Sequence, residues 1–292
     1  MGPSEASTDK RGPLVFAHIE KTAGKTTREL LRRHFGTAHC ELYNHPSRMR
    51  EEDLELIRRH HPGLRSLAGH ACMPHSVVGR IPGARMFTFF RCPIQRAFSA
   101  FQYGHQRGRP MPPFEHYAVG HANFLCRALT GEPRERATAG HAIEVLGERI
   151  GFVGLQSRFD LSLVMLRRWI GEEGFDIRYR SRNRSLCGRI ASDLQQDPAN
   201  AALLREVNGE DLLLYEHAAE RVFAEQERAH GPTLGDDLAA FLRVQAAGSR
   251  PLPRLGDLWS SARRGLVFRP AWRKHLRGRV AAPGGGPPAA RP

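Results

Sequence analysis

The stretch that most constrains the fold is the short apolar run PLVFAHI, which a polar loop and an amphipathic helix follow at once. A nearly continuous apolar run of this length is typical of a strand buried on both faces of a parallel sheet. In the segment KTTRELLRRHF, Leu30, Leu31 and Phe35 fall on one helical face. Run, loop and helix together predict the first strand-to-helix unit of an α/β protein.

A second unit of the same kind begins at ARMFTFFRCPIQRAFSAFQYGH. Met86 to Phe90 predict a strand, and Pro93 suits the first turn of a helix. Apolar residues then recur at helical spacing, at Ile94, Ala97, Phe98 and Phe101. Further helices are predicted in REEDLELIRRHHPG, LQSRFDLSLVMLRRWIG, EDLLLYEHAAERVFAEQERAH and DDLAAFLRVQAA. This alternation favours a P-loop-like α/β fold in three layers, with a central parallel sheet flanked by helices.

The formal net charge of +14 is concentrated near the end of the chain. From residue 249 onward there are 10 basic residues and one acidic residue, against 34 basic and 29 acidic residues before it. We therefore predict a flexible N-terminus (1–13), one folded domain (14–230), and a basic Pro/Gly/Arg-rich extension (231–292) that is partly disordered.

Five cysteines stand at irregular intervals without a CxxC pair, at Cys40, Cys72, Cys92, Cys126 and Cys187. This pattern argues against a disulfide framework or a metal site and favours a reducing compartment. The first residues lack the apolar stretch of a signal peptide, and no run reaches transmembrane length. We expect a cytoplasmic protein without a transmembrane segment.

The loop EKTAGKTT has the composition of an anion-binding loop, because Lys21 and Lys25 supply charge and threonines supply hydroxyl donors. Backbone N–H groups at the start of the following helix add positive potential. GKT at Gly24 matches the end of a Walker A loop, but Ile19 stands where its first glycine belongs. The second strand ends in Arg91 instead of a magnesium-binding aspartate. A P-loop kinase or nucleoside triphosphatase is thus an alternative that the residues disfavour.

Several segments in this order resemble sulfotransferases that use 3′-phosphoadenosine 5′-phosphosulfate, in the heparan sulfate 2-O-sulfotransferase-like group. HIEKTAGKTTRELL is similar to their 5′-phosphosulfate loop, and RCPIQRAFS to their 3′-phosphate motif, with serine eight residues after arginine. LAGHACMP, GFVGLQSRFDLSL, RSRNRS and DLLLYEHAAERVF resemble further segments of that group.

The resemblance implies a sulfuryl transfer from this donor to an acceptor hydroxyl, on a carbohydrate, without a metal ion. It assigns the donor's 5′-phosphosulfate to the loop residues Lys21, Thr22, Ala23, Gly24, Lys25, Thr26 and Thr27. It assigns the 3′-phosphate to Arg91 and Ser99, which suits a guanidinium and a hydroxyl donor. Arg182 and Asn183 are further candidates for the nucleotide, although a solvated basic loop is an equal alternative.

The resemblance also implies two catalytic residues. Lys21 would stabilise the charge on the leaving group, or act only as a phosphate clamp. His70, in the G-H segment, would be the base that takes the acceptor's proton. His75 is the alternative base, and we expect His18 to pack near the loop.

Four residues depart from the family pattern: Glu20 replaces a proline, Lys25 a threonine, Cys92 an aspartate and Gln156 a glutamate. Glu20 brings negative charge to an anion site, and Lys25 could restore the balance.

The arginine-rich end of the chain suggests a different function, because Trp259, Phe268 and Trp272 are interleaved with arginines there. A protein that binds nucleic acid or another polyanion without catalysis is therefore the second alternative, although we expect no specific nucleic-acid partner. The oligomeric state is left open.

Overall fold

The computed structural model describes residues 12–61, 63–180 and 189–248, together with residues 266, 268 and 270–275. Within them, five parallel strands form one sheet in the order β2-β3-β1-β4-β5. The strands are β1 (Leu14–Ala17), β2 (His39–Leu42), β3 (Ser66–Gly69), β4 (Arg85–Phe90) and β5 (Phe152–Leu155). The predicted parallel sheet is confirmed, with β1 at its centre.

The strand β1 pairs on both sides, which explains why its sequence is apolar throughout. Leu14 lies opposite Ser66 of β3 and Arg85 of β4, and Ala17 lies opposite Gly69 and Thr88. All four β1 residues are buried. The hydroxyl of Thr88 also donates to the carbonyl of Ala17 at 2.8 Å. The carboxyl ends of β3, β1 and β4 therefore lie side by side.

Helices make up most of the remaining described chain. They are α1 (Gly24–Phe35), α2 (Glu51–His60), α3 (Pro93–Gln106), α4 (Phe114–Gly120), α5 (Phe124–Thr130), α6 (Ala139–Arg149), α7 (Phe159–Ile170), α8 (Arg189–Gln196), α9 (Pro198–Val207), α10 (Gly209–His217), α11 (Phe223–His230) and α12 (Leu234–Ala246). Helix α1 packs against β2 and β3, whereas α7 and α11 pack against β5. The predicted α/β fold, a central parallel sheet flanked by helices, is confirmed.

The apolar faces read from the sequence are the buried ones. Leu30, Leu31 and Phe35 of α1 join the main core. Ala97, Phe98 and Phe101 of α3 form a second cluster with Phe114, Tyr117, Ala118 and Leu204. The long helix predicted from residue 210 is α10 and α11, joined by one wider turn at Ala218–Val222.

The predicted extension from residue 231 begins with a helix that packs on the main body. Helix α12 lies against α7, and Phe241 is buried in the main core. Phe268 is buried beside the ring of His61, with 5.0 Å between ring centroids. His275 Nε2 lies 2.7 Å from a carboxylate oxygen of Asp53 in α2. The domain boundaries remain predictions, since most of the extension lies outside the described residues.

A search of the described helices found none long and apolar enough to cross a membrane.

Candidate anion-binding and proton-transfer site

The loop between β1 and α1 has an unusual backbone. Lys21 and Ala23 adopt left-handed conformations, with φ of 67° and 72°. Residues other than glycine rarely adopt this conformation, which costs roughly 1 kcal/mol or more and is concentrated at functional sites. The buried Thr22 closes the loop by donating its hydroxyl to the carbonyl of Ile19 at 2.8 Å.

The N-terminus of α1 is open to an anion. Its first turn has no acidic residue, and no side chain caps it. The first N–H groups of a helix lack partners within the helix and point toward the preceding loop. A helix of 12 residues that starts in this way offers both N–H donors and the positive end of its dipole.

The three threonines of the loop have different surroundings. Thr22 is buried, as is Thr27, whose hydroxyl lies 3.4 Å from the carbonyl of Ala23. Thr26 is half-buried and Lys25 is exposed. The side chains of Thr26 and Lys25 are therefore the ones that solvent can reach, while Thr22 and Thr27 also shape the loop.

Gly24 is required by the close approach of a histidine. A Cβ atom at this position would lie 1.6 Å from Nε2 of His18. The side chain of His18 is buried and stacks on Phe16 on one side and on His70 on the other. The absence of a side chain at Gly24 therefore makes room for the ring of His18 at the start of α1.

His70 is fixed by His18 in two ways. The two imidazole rings stack with 4.4 Å between centroids and 24° between planes. The Nδ1 of His70 lies 2.9 Å from the backbone carbonyl of His18. Because a carbonyl can only accept, Nδ1 carries the proton and Nε2 of the neutral ring is left as the acceptor. His70 is half-buried, and an acceptor nitrogen of a neutral imidazole is the chemistry that a general base needs.

Burial is the main cause that lowers the pKa of His70, and the cation of Arg28 lowers it further. The carboxylate of Glu20 and the hydrogen bond to His18 act in the opposite direction. Burial also lowers the pKa of His18 well below its ordinary value, with His70 and Arg28 adding to the effect. Both rings are consequently neutral at pH 7.

Lys21 lies against the aromatic ring of Tyr103 from α3. Its Nζ is 4.1 Å from the ring centroid, and Nζ of Lys25 is 5.5 Å from the same centroid. Burial lowers the pKa of Lys21 to about 8; Lys25 and Arg91 lower it as well, while Glu20 raises it. Lys21 is therefore a lysine whose charge is sensitive to its surroundings near neutral pH.

Arg91 follows β4 directly, next to the β1 loop in the sheet. Its Nε is buried and has no hydrogen-bond partner among the residues that the structure describes. Burial lowers the pKa of its guanidinium, and Arg96 adds to that shift. Ser99 is half-buried two helical turns further along α3. A buried N–H donor that has no partner is costly, so Arg91 is suited to receive an anion.

Sequence reasoning missed three residues on α3 and α4. Arg96 is buried, and its guanidinium is 4.2 Å from the ring centroid of Phe124. Within the described ranges, its Nε and Nη2 have no hydrogen-bond partner. Tyr117 of α4 belongs to the same electrostatic cluster. Tyr103 follows Ser99 by four residues, so that helical spacing could have indicated it. Arg96 gave no such signal because a mid-helix arginine is ordinarily exposed.

The alternative base, His75, lies against α5. Its Nδ1 is 3.3 Å from the carbonyl of Leu129, and burial lowers its pKa. His70 lies beside the Lys21 loop through its contacts with His18, which favours His70. Arg182 and Asn183 lie outside the described residues. Among the residues that are described, no three His, Cys, Asp or Glu side chains are grouped as metal ligands would be.

No known protein-family model matches this sequence, and a search of curated protein sequences found no match. Among solved structures, the chain is similar to a sulfotransferase from Alicyclobacillus acidocaldarius. The two share 18% sequence identity over 69% of this chain and 97% of that chain, with a TM-score of 0.37.

Proposed function

We propose that this protein is a sulfotransferase that moves the sulfuryl group of 3′-phosphoadenosine 5′-phosphosulfate to an acceptor hydroxyl. The observation that supports this most is the pairing of β1 with β4. It sets the cationic Lys21 loop beside Arg91, whose Nε is buried and has no partner in the described part of the chain. Two adjacent cationic sites suit a ligand with two phosphate groups.

The donor fits the residues that are present. In the proposal, the loop from Lys21 to Thr27 and the uncapped start of α1 bind the 5′-phosphosulfate. Arg91 and Ser99 bind the 3′-phosphate, and Arg182 and Asn183 also contact the nucleotide. Two points disfavour a magnesium-dependent triphosphatase: Ile19 replaces the first Walker glycine, and Arg91 follows β4 where an aspartate would hold the metal.

In the reaction, the acceptor oxygen forms a bond to sulfur while the bond from sulfur to the bridging phosphate oxygen breaks. His70 Nε2 takes the proton of the acceptor hydroxyl. The ammonium of Lys21 stabilises the negative charge that the adenosine bisphosphate carries away. His18 keeps the ring of His70 in the required tautomer through its backbone carbonyl.

We further propose that the acceptor is a carbohydrate hydroxyl, as the resemblance in the loop and helix motifs implies. The cytoplasm is the proposed location, because cysteines at irregular intervals without a CxxC pair favour a reducing compartment. The sulfotransferase domain spans residues 14–230 in this proposal, with residues 231–292 as a basic extension.

Calorimetric titration with adenosine 3′,5′-bisphosphate, compared with ATP plus Mg²⁺, tests the assignment. We expect the bisphosphate to bind more tightly than ATP, because Arg91 and Ser99 serve a 3′-phosphate that ATP lacks. Preference for ATP, or no binding of the bisphosphate, would overturn the assignment.

The same titration with double-stranded DNA separates the enzyme from a polyanion-binding protein. A nucleic-acid-binding protein would bind DNA with strong salt dependence. That affinity would survive replacement of Lys21 and Lys25 by alanine, whereas bisphosphate binding should be lost in the same variant.

A further inference from the structure

Several cationic side chains, from different elements of the structure, lie close to the aromatic ring of Tyr103. Lys21 and Lys25 approach its ring from the β1 loop and α1, at 4.1 Å and 5.5 Å from the centroid. Arg107, the residue that follows α3, has its Cζ at 5.2 Å, and its Nε donates to the phenol oxygen at 2.9 Å. Tyr103 is half-buried, whereas Lys25 and Arg107 are exposed.

The position of Tyr103 connects the two halves of the site. It follows Ser99 by one turn of α3, so both side chains project from one face of that helix. Lys21 belongs to the loop that precedes α1. Through its ring, Tyr103 therefore connects the Lys21 loop directly to α3, the helix that carries Ser99.

The choice of lysine in the loop is itself unusual for this chain. Of its 44 basic residues other than histidine, only Lys10, Lys21, Lys25 and Lys274 are lysines. Two of these four lie at the ring of Tyr103. An ammonium is a compact charge whose pKa responds to its surroundings, whereas a guanidinium stays charged.

We propose that Tyr103 is a positioning residue, whose ring holds the ammonium of Lys21 in place and in its charged form. This inference rests on the proposed function, since it assigns the ring a task in donor binding. The negative face of the ring attracts the ammonium. This attraction offsets the repulsion that the cations of Lys25 and Arg91 exert on Lys21. The carboxylate of Glu20 acts in the same direction as the ring.

The first test measures the titration of Lys21 without any ligand. Proteins with isotope-labelled lysine give at most four side-chain signals, and the signal of Lys21 is the one absent from Lys21→Arg. We expect Tyr103→Leu to lower the pKa of Lys21 below about 8, and Tyr103→Phe to leave it close to the wild-type value. Tyr43→Leu is the matched control, because Tyr43 has Arg28 at its ring instead of a lysine.

The second test measures binding of adenosine 3′,5′-bisphosphate between pH 6 and pH 9. We expect Tyr103→Leu to weaken binding about tenfold at pH 7. As the pH rises, this variant should lose its affinity at a lower pH than the wild type does. Tyr103→Phe should follow the wild type within about twofold. Thermal melting of each variant separates these effects from unfolding.

An unchanged Lys21 titration in a folded Tyr103→Leu protein would overturn the inference. So would weaker binding with an unchanged pH dependence, because it would indicate only a packing role. Failure of the proposed function is distinguishable, since the wild-type protein would then not bind the bisphosphate at all. The part assigned to Tyr103 in donor binding would fall with it.

Discussion

At the scale of single residues, His70 and Lys21 are expected to set the pH range of the reaction. His70 must be neutral to accept a proton, and burial lowers its pKa below 6.5. Lys21 must be charged, and burial lowers its pKa to about 8. We therefore expect kcat/KM to be constant near pH 7, to fall below pH 6.5 and to fall again above pH 8.

The alkaline limb has its own control. In Lys21→Arg the guanidinium stays charged, so any activity that this variant retains should not decline as the pH rises through 8. A wild-type profile that stays flat up to pH 9.5 would contradict the assignment of Lys21.

Replacing His70 by alanine should lower turnover by roughly 10²- to 10⁴-fold, as expected for loss of a general base. Affinity for adenosine 3′,5′-bisphosphate should change little, because His70 acts on the acceptor side. His75→Ala is the matched comparison, since His75 is also half-buried and bonded to a carbonyl through Nδ1. If His75→Ala loses turnover and His70→Ala keeps it, the base is His75.

Gly24→Ala should destabilise the protein and weaken bisphosphate binding. The added Cβ would lie 1.6 Å from Nε2 of the buried His18, so either the ring or the start of α1 must shift. Overpacking of this kind costs about 1–3 kcal/mol, which urea unfolding would measure. Gly147→Ala in α6 is the control, because nothing lies within 4 Å of its added Cβ. Equal stability of the two variants would show that the ring of His18 does not fill the space beside Gly24.

At the scale of elements, the site depends on how β4 leads into α3. Arg91 follows the strand, Pro93 begins the helix, and Ser99 lies two turns later. Arg91→Ala should weaken the binding of adenosine 3′,5′-bisphosphate by about 1.5–3 kcal/mol, the usual contribution of a hydrogen bond to a charged group. Adenosine 5′-phosphate, which lacks the 3′ group, should be affected far less.

Arg80→Ala is a control for the loss of one positive charge. Arg80 is exposed, and its partner is Glu51 of α2 instead of a residue of the site. Arg80→Ala should leave both affinities close to the wild-type values. Equal losses for the two nucleotides in Arg91→Ala would remove Arg91 from the 3′-phosphate site.

The elements that the sequence predicted well share a strong local signal. The apolar run of β1, the period of α1 and the Pro93 start of α3 are each visible within a dozen residues. β5 was not predicted as a strand, and β2 and β3 were missed because HCEL and SLAG mix polar and small residues. Their burial comes from neighbouring strands and from α1, which a local pattern does not contain.

The candidate site shows the same division. Lys21, Gly24, Arg91 and His70 were predicted as site residues because they stand in or beside motifs. The stacking of His18 on His70 and the contact of Lys21 with Tyr103 were not predicted. Each joins residues more than fifty positions apart, and only the sheet order brings those residues together.

At the scale of the whole molecule, the end of the chain is expected to contribute to stability. Phe268 is 5% exposed and packs on His61 and on Trp272, with 5.0 and 5.6 Å between ring centroids. Phe268→Ala should cost about 3 kcal/mol, as for other buried aromatic side chains. Thermal or urea unfolding would measure the loss.

Leu266→Ala is the matched control, because Leu266 is only two residues away and 79% exposed. Its stability should be within about 0.5 kcal/mol of the wild type. If Phe268→Ala is equally harmless, the end of the chain does not pack on α2 in solution.

The order of strands in the sheet also has a consequence for synthesis of the chain. β4 is the apolar strand RMFTFF, and the strand that pairs with its outer edge is β5, which emerges from the ribosome about sixty residues later. Until then the nascent chain exposes an unpaired hydrophobic edge, a template for pairing with other chains. We therefore expect newly made protein to be open to aggregation at this edge until Phe152–Leu155 has been synthesised.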